Sequence, residues 1–310
     1  MSKDIENYKA VLQESLNLVN LRSIVQFYGK FPDRYRLKIW QLLLQIPKNQ
    51  AVFKTLLSQG HHKVFLLLDQ QYPVPSGVLR RAFHRTLSLL ANWSPLLAEV
   101  TFLPYLVFPF VKLFHSNLLV CFEVVATFLC NWCENWCCFL PYPPINVLNV
   151  AENVLAYHDR DLLLHYVKHG ITGEVYIWPL LYTVFSEIVE KDQWLQLWDH
   201  IFSNPPCFML YLSVALNIVA RKRLIVLTHS DQIKDFFENE NLYQVNTMIQ
   251  KAYYIQQNTP LDLTPESIIP TEFLPLLKGN YSRIFNPKRS LSIQQMSRDT
   301  ILPTGYSIQL

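Results

Sequence analysis

Four cysteines, Cys130, Cys133, Cys137 and Cys138, form the densest set of metal-binding side chains in this 310-residue chain. Structural zinc sites normally draw two ligand pairs from either side of a loop. Here all four fall on one predicted helix, and spacings of three and four place Cys130, Cys133 and Cys137 on one face. That pattern is an ordinary core stripe of small, soft side chains. Asp161, His165 and His169 stand at i, i+4 and i+8 and share a helical face. A metal site is conceivable there, but Gly170 ends the helix, and histidines at a helix carboxyl end suit its dipole. A solvated face is expected, with no metal and no cofactor. His61-His62 follow Gly60 and read as loop residues. No G-x-S-x-G and no H-E-x-x-H occurs, so the main hydrolase signatures are missing. Ser292 lies three residues after Arg289 in Lys288-Arg289-Ser290-Leu291-Ser292, a weak match to a basophilic kinase substrate.

Those residues must be held by some scaffold, and composition points to helices. Half the residues are apolar, and only seven are glycine, at positions 29, 60, 77, 170, 173, 279 and 305. Tight sheet turns use glycine for its access to positive φ. Its scarcity beside long apolar stretches predicts an all-α fold. No pair of glycines has G-x-G spacing, and none supports a G-x-x-x-x-G-K loop. Nucleotide binding through a Rossmann or Walker loop is therefore excluded. The net charge of +3 is too small to imply nucleic acid. It is also uneven, since the bases from Lys278 onward outweigh the single acid Asp299 by four.

The opening MSKDIENYKA is polar and reads as no signal peptide. Six cysteines with no such leader suggest a reduced, intracellular compartment. Leu118–Cys133 contains Glu123 and Asn131, and Cys207–Ala220 is short, so both read as buried helices and not as membrane spans.

Punctuation then divides the chain. The periodicity predicts a first helix over Ile5–Phe27 and a second over Tyr35–Ile46 capped by Asp33. Asn49, Ser76, Asn117 and Asp159 sit where side-chain caps would start helices. The helix from Asn117 is expected to run to about Phe139. Pro104 and Pro109 read as breaks. Thr172 opens a predicted helix that carries Trp178 to Val189. Pro141, Pro143 and Pro144 form the strongest interruption, and the lobe boundary is placed there. The expected division is a lobe over 1–140, a second over 141–278 and a basic, flexible tail over 279–310.

Four segments in order resemble the TBC family, an all-helical module that accelerates GTP hydrolysis on Rab GTPases. Arg36-Leu37-Lys38-Ile39-Trp40 is similar to the family's R-x-x-x-W. Leu79 to Thr86 falls on I-x-x-D-x-x-R-T. The helix from Asn117 stands where the family places Y-x-Q-G. Trp178-Pro179-Leu180-Leu181 through Phe185-Ser186, followed by Trp194 and Leu197-Trp198-Asp199, resembles W-x-x-x-x-F-S and an aromatic-Trp-Asp motif. The resemblance covers about Tyr28 to Phe237 and implies two helical lobes with a groove between them. Further runs, among them Phe108 to Phe114 and Cys121-Phe122-Glu123-Val124, resemble a WD-repeat-bearing branch of the family. That branch implies a cytoplasmic adaptor at the centrosome, centriolar satellites and cilium base. Neither WD repeats nor a long coiled coil lies within these residues.

The resemblance also implies a chemistry. Active members offer the GTPase an arginine that neutralises charge on the transferred phosphoryl group and a glutamine that positions water. An arginine finger is worth about a thousand- to hundred-thousand-fold in rate. Arg85 falls on the arginine position. The acid that would brace it is replaced by Ala82. No glutamine occurs between Gln71 and Gln193, so the second finger is absent, and Glu123 nearby would repel a γ-phosphate. The expected function is a degenerate, non-enzymatic TBC domain that binds partners, a Rab-type GTPase or centrosomal proteins, with Arg36, Arg85 and Glu123 as binding candidates. Trp40, Trp178, Trp198 and Asp199 read as structural, and for Arg36, one turn before Trp40, a structural role, snorkelling or paired with an acid, is favoured over binding. The rival is an active Rab GTPase-activating protein that uses Arg85.

Overall fold

The computed structural model describes residues 18–239, 245–267, 269, 273–276 and 281. Among these there is no strand, and the elements are helices joined by short turns. The all-α expectation therefore holds. The amino-terminal part of the first predicted helix, the Ser292 motif and all of the tail except Tyr281 lie outside the described residues.

The first half contains α1 (Leu18–Tyr28), α2 (Asp33–Leu43), α3 (Gln50–Ser58), α4 (Leu68–Gln71), α5 (Gly77–Trp93), α6 (Leu103–Phe114) and α7 (Leu118–Trp132). After Pro141 follow α8 (Ile145–His158), α9 (Arg160–Lys168), α10 (Gly173–Tyr176), α11 (Trp178–Tyr182), α12 (Lys191–Ser203) and α13 (Phe208–Val219). Three more close the order: α14 (Arg221–Leu224), α15 (Ser230–Asn239) and α16 (Val245–Asn258). Among the described residues no helix is long and apolar enough to cross a membrane.

Local chemistry explains most boundaries. The side chains of Asn49, Ser76, Asn117 and Asp159 accept from Val52, Leu79, Val120 and Leu162 backbone N–H groups, so each caps a helix as expected. Asp33 does not cap. Pro32 holds the N-cap position of α2, and Asp33 pairs from the first turn with Arg36. Gly170, at φ 65°, ends α9 in the left-handed conformation that glycine tolerates.

Three sequence expectations are corrected. Pro104 and Pro109 do not break the chain, since both lie within α6. Pro104 sits in the first turn, where no N–H is needed, and Pro109 strands only the carbonyl of Tyr105, a residue exposed to water. The helix from Asn117 stops at Trp132, so the four cysteines do not share one helix. Cys133 is the C-cap of α7, and Cys137 lies in a separate 3₁₀ turn, Glu134–Cys137. The stretch from Thr172 to Val189 is α10 and α11, followed by turns in which Val184 and Phe185 take positive φ.

The core runs through both halves. α7 is buried from Leu119 to Trp132, which accounts for its membrane-like hydropathy. An aromatic cluster joins it to α6 and α12. Phe110 meets Trp198 at 4.8 Å, Phe128 meets Trp198 at 5.1 Å, and Trp40 of α2 meets Phe202 at 5.2 Å. Edge-to-face pairs of this kind are worth about 0.5–1.5 kcal/mol each beyond their buried area. α5 packs on α6 and α7, and α13 packs along α16.

Candidate functional site

α5 places the candidate arginine. Its apolar stripe turns Phe83, Thr86, Leu87 and Leu90 into the core, and the same 3.6-residue period carries Arg81 and Arg85 to solvent. Arg85 lines a hollow of about 170 Å³ with Leu57, Gly60, His61 and Leu89. Among the described residues no acid is paired with it. Ala82 is buried one turn earlier, and its carbonyl accepts from the Thr86 hydroxyl at 2.8 Å. The Thr86 hydroxyl also lies 3.7 Å from Cys121 Sγ, which ties α5 to α7.

The segment of α7 facing that contact offers no reactive group to solvent. Leu119, Val120, Cys121, Phe122 and Glu123 are all buried. Burial pushes the Cys121 thiol up to about 12. Glu123 does not face open space as its position suggested. Its carboxylate accepts from the backbone N–H of Lys48 at 2.8 Å and Asn49 at 2.7 Å, and from the Tyr281 hydroxyl at 3.0 Å. Desolvation raises its pKa, and these donors oppose the rise. Glu123 is thus a bracket for the start of α3, not a ligand-facing carboxylate. Tyr281 is itself 1% exposed, so the expected free tail is anchored at that residue.

Arg36 is an internal tie, as the structural reading of R-x-x-x-W expects, and not the ligand-binding group it was also a candidate for. It is buried, its Nε lies 3.0 Å from Asp199 Oδ2, and its Nη2 donates to the Phe31 carbonyl at 2.8 Å. Asp199 also accepts from the Phe31 N–H and from Trp40 Nε1, both at 2.8 Å. Burial pushes the Asp199 carboxyl up to about 6, against the pull of Arg36. The R-x-x-x-W spacing places Arg36 and Trp40 one turn apart on α2, and both close on one carboxylate of α12. Trp198 lies in the aromatic core. Trp178 packs on Phe102 and Trp136 at 5.0 and 5.7 Å and borders a second hollow of about 340 Å³ with Tyr72, Tyr105, Tyr142 and Tyr182.

Asp161 and His165 of the other histidine-bearing set are engaged elsewhere. His165 Nε2 lies 2.7 Å from the Leu227 carbonyl, and Asp161 lies 3.6 Å from Arg221. Sequence reasoning missed the surroundings of Arg85. The segment from Gly60 to Asp69 is laid along α5 by three contacts: Asn92 to the Gly60 carbonyl at 3.3 Å, the His62 N–H to Ser88 at 3.0 Å, and His84 to Asp69 at 2.9 Å. These partners are 15 to 32 positions apart, and no local pattern announces them. The cations that the segment and α5 bring together were visible as residues but not as one face.

No sequence-family profile matches the chain. Solved structures share its fold. The Ypt/Rab-GAP domain of Gyp1p superposes with a TM-score of 0.64 over 82% of this chain and 97% of that one, at 14% identity. A Chlamydomonas flagellar RabGAP TBC domain does so at 0.62, over 81% and 90%, at 12% identity. The chain belongs to the TBC domain family. Its sequence is similar to that of TBC1 domain family member 31 from several animals. Identity is 44% with the Homo sapiens protein over 97% of this chain, and 42% with the Mus musculus protein over 96%. The chain spans 28% and 30% of those relatives' lengths.

Proposed function

We propose that this TBC domain is a binding module with degenerate catalytic fingers, an adaptor and not a GTPase activator. The observation that carries the reading is the lack of any glutamine between Gln71 and Gln193. The water-positioning group of the family has no counterpart there, and the α7 side chains at the corresponding place are buried. Ala82 removes the charge-assisted hydrogen bond that would hold Arg85 in one geometry. Misplacement of a catalytic group by an ångström costs about a hundredfold. The work proposed for the module is scaffolding in centrosome, centriolar-satellite and cilium-related trafficking, in the cytoplasm. Its partners would be centrosomal proteins or a Rab-type GTPase held without turnover. In this reading the lobes divide at residues 140 and 141.

One observation favours a second reading. Arg85 is exposed and has no acid partner among the described residues, so an activator using Arg85 with the GTPase's own glutamine is the alternative. Single-turnover GTP hydrolysis across a panel of Rabs separates the two. The adaptor reading expects no Rab to be accelerated and no change on Arg85→Ala. Acceleration of one Rab by about a hundredfold or more, abolished by Arg85→Ala, establishes the activator instead.

A further inference from the structure

Residues 48–98 carry six lysines and arginines and one acid, Asp69. The fold gathers most of these cations on one side. Arg80, Arg81 and Arg85 project from α5, and Lys63 lies on the segment laid along it. His61 of that segment and His84 of α5 meet with ring centroids 6.2 Å apart. Asp69 is already engaged, 2.9 Å from His84 and 4.0 Å from Arg80. Among the described residues the face therefore keeps an excess of positive charge.

The same segment holds some of its apolar side chains out of the core. Leu66 is 69% exposed and Leu67 59%, and Val64, two residues before Leu66, is half-exposed. Neighbouring Phe65 and Leu68 are buried, so the turn is anchored and the leucines are presented from a fixed backbone. The hollow beside Arg85 has Leu57 and Leu89 in its lining and a volume of about 170 Å³, room for one aliphatic side chain. Cations beside exposed leucines, and a hollow lined by two leucines as well as Arg85 and His61, are complementary to an acidic segment with apolar anchors. A flat anionic surface would use the charge but not the socket.

We infer that this face, formed by α5 and residues 60–78, docks an acidic, amphipathic peptide segment of a partner protein. The inference rests on the binding-module reading and names the chemistry of the partner. Apolar anchors of the segment pack on Leu66 and Leu67 and enter the hollow at Arg85. Its carboxylates face Arg80, Arg81 and Lys63, and reversal of the arginines to acids sets like charges against them, which costs affinity.

The test is selection of short random peptides displayed on phage against the immobilised full chain. Selected peptides are then labelled for fluorescence anisotropy with wild type, Arg80→Glu/Arg81→Glu and Leu66→Ser/Leu67→Ser. All substituted side chains are exposed, and circular dichroism checks that both variants fold. The expected result is enrichment of acidic peptides with apolar residues three or four apart. Their affinity falls about tenfold or more in each variant and weakens with added salt. Enriched peptides without acidic bias, equal binding to wild type and both variants, or no enrichment overturns the inference. So does sedimentation of the chain with phosphatidylserine vesicles where no peptide is enriched, which assigns the face to a membrane. Failure here with no Rab accelerated leaves the binding-module reading standing. Acceleration of a Rab overturns that reading whatever the peptides do.

Discussion

Tyr281 and Glu123 lie 158 positions apart and meet inside the protein, the tyrosine hydroxyl donating to Glu123 Oε1 at 3.0 Å. The Tyr281 ring also lies 5.7 Å from Phe122. The same carboxylate takes the N–H groups of Lys48 and Asn49, at the end of a turn in which Gln45 and Lys48 have positive φ. One buried acid thus binds the start of α3, the body of α7 and the last described residue. Tyr281→Phe removes one hydrogen bond to a charged group and is expected to destabilise by about 1.5–3 kcal/mol. Glu123→Ala leaves two backbone donors and the hydroxyl unpaired and is expected to cost more. Urea unfolding reads both. Equal midpoints for wild type and Tyr281→Phe would show that the contact contributes nothing.

Arg36 and Asp199 form the second internal tie, between α2 and α12. Removing one partner of a buried ion pair leaves an uncompensated charge and costs about 3–5 kcal/mol. Arg36→Ala is expected to fall in that range. Arg36→Lys keeps the charge but loses the fork that reaches both Asp199 and the Phe31 carbonyl, so it should rank between wild type and alanine. Thermal and urea melts give the order. A lysine variant no more stable than the alanine one would contradict the role assigned to charge.

His200 gives the fold a pH dependence that can be isolated. Its Nε2 lies 2.9 Å from the Gly29 carbonyl and so donates, while Nδ1 lies 2.9 Å from the Tyr253 hydroxyl and accepts. Both nitrogens of the neutral ring are used. Burial lowers its pKa from 6.5 to about 4. The unfolded chain takes up this proton between pH 6.5 and 4 while the folded chain resists, so stability is lost as pH falls through that window. The loss amounts to about 3 kcal/mol at pH 4. Asp199 acts in the opposite sense. Its carboxyl is raised from 3.8 to about 6, chiefly by burial, so its contribution falls as pH rises across that interval. Comparing wild type with His200→Gln separates the two. The stability gap between them should narrow by about 3 kcal/mol from pH 7 to pH 4. A gap of constant size would reject the assignment.

The cysteines predict a labelling pattern. Cys121, Cys130, Cys133, Cys137 and Cys207 are buried, and Cys138 is partly exposed. Burial pushes the Cys121, Cys133, Cys138 and Cys207 thiols upward. A thiol reagent at mildly alkaline pH should modify Cys138 first, and the others only when urea unfolds the chain. Peptide mass spectrometry after timed quenching identifies the site. Rapid native labelling of Cys130 or Cys133 would contradict this packing. A chelator should leave the melting temperature unchanged; a large drop would reveal a bound metal.

The features that were legible in the sequence are those settled within a turn or two of chain. Asn49, Ser76, Asn117 and Asp159 announce helix starts because a cap bonds a backbone group three residues away. Pro109 misled because its effect depends on whether the orphaned carbonyl reaches water, and the exposure of Tyr105 answers that. The stretch from Thr172 to Val189 reads as one helix in the sequence because periodicity survives a bend that Val184 and Phe185 make with positive φ. At the candidate site, Arg85 was found by motif spacing, and the missing glutamine by its absence from an interval. Glu123 was misplaced because its partners lie 74, 75 and 158 positions away.

The sequence by itself determined the helical class, the caps, the family motifs and the absence of a glutamine, since each follows from residue type and short-range spacing. The tertiary structure decided which polar residues are spent inside. Asp199 reads as structural from its motif and Glu123 falls in a helix read as buried, but only long-range packing shows which groups Arg36, Asp199 and Glu123 meet. It also decided that residues 60–69 lie along α5, so that Lys63 shares a side of the protein with Arg80, Arg81 and Arg85. The reason is the same in both cases: desolvation and charge proximity depend on distances that the chain order does not contain.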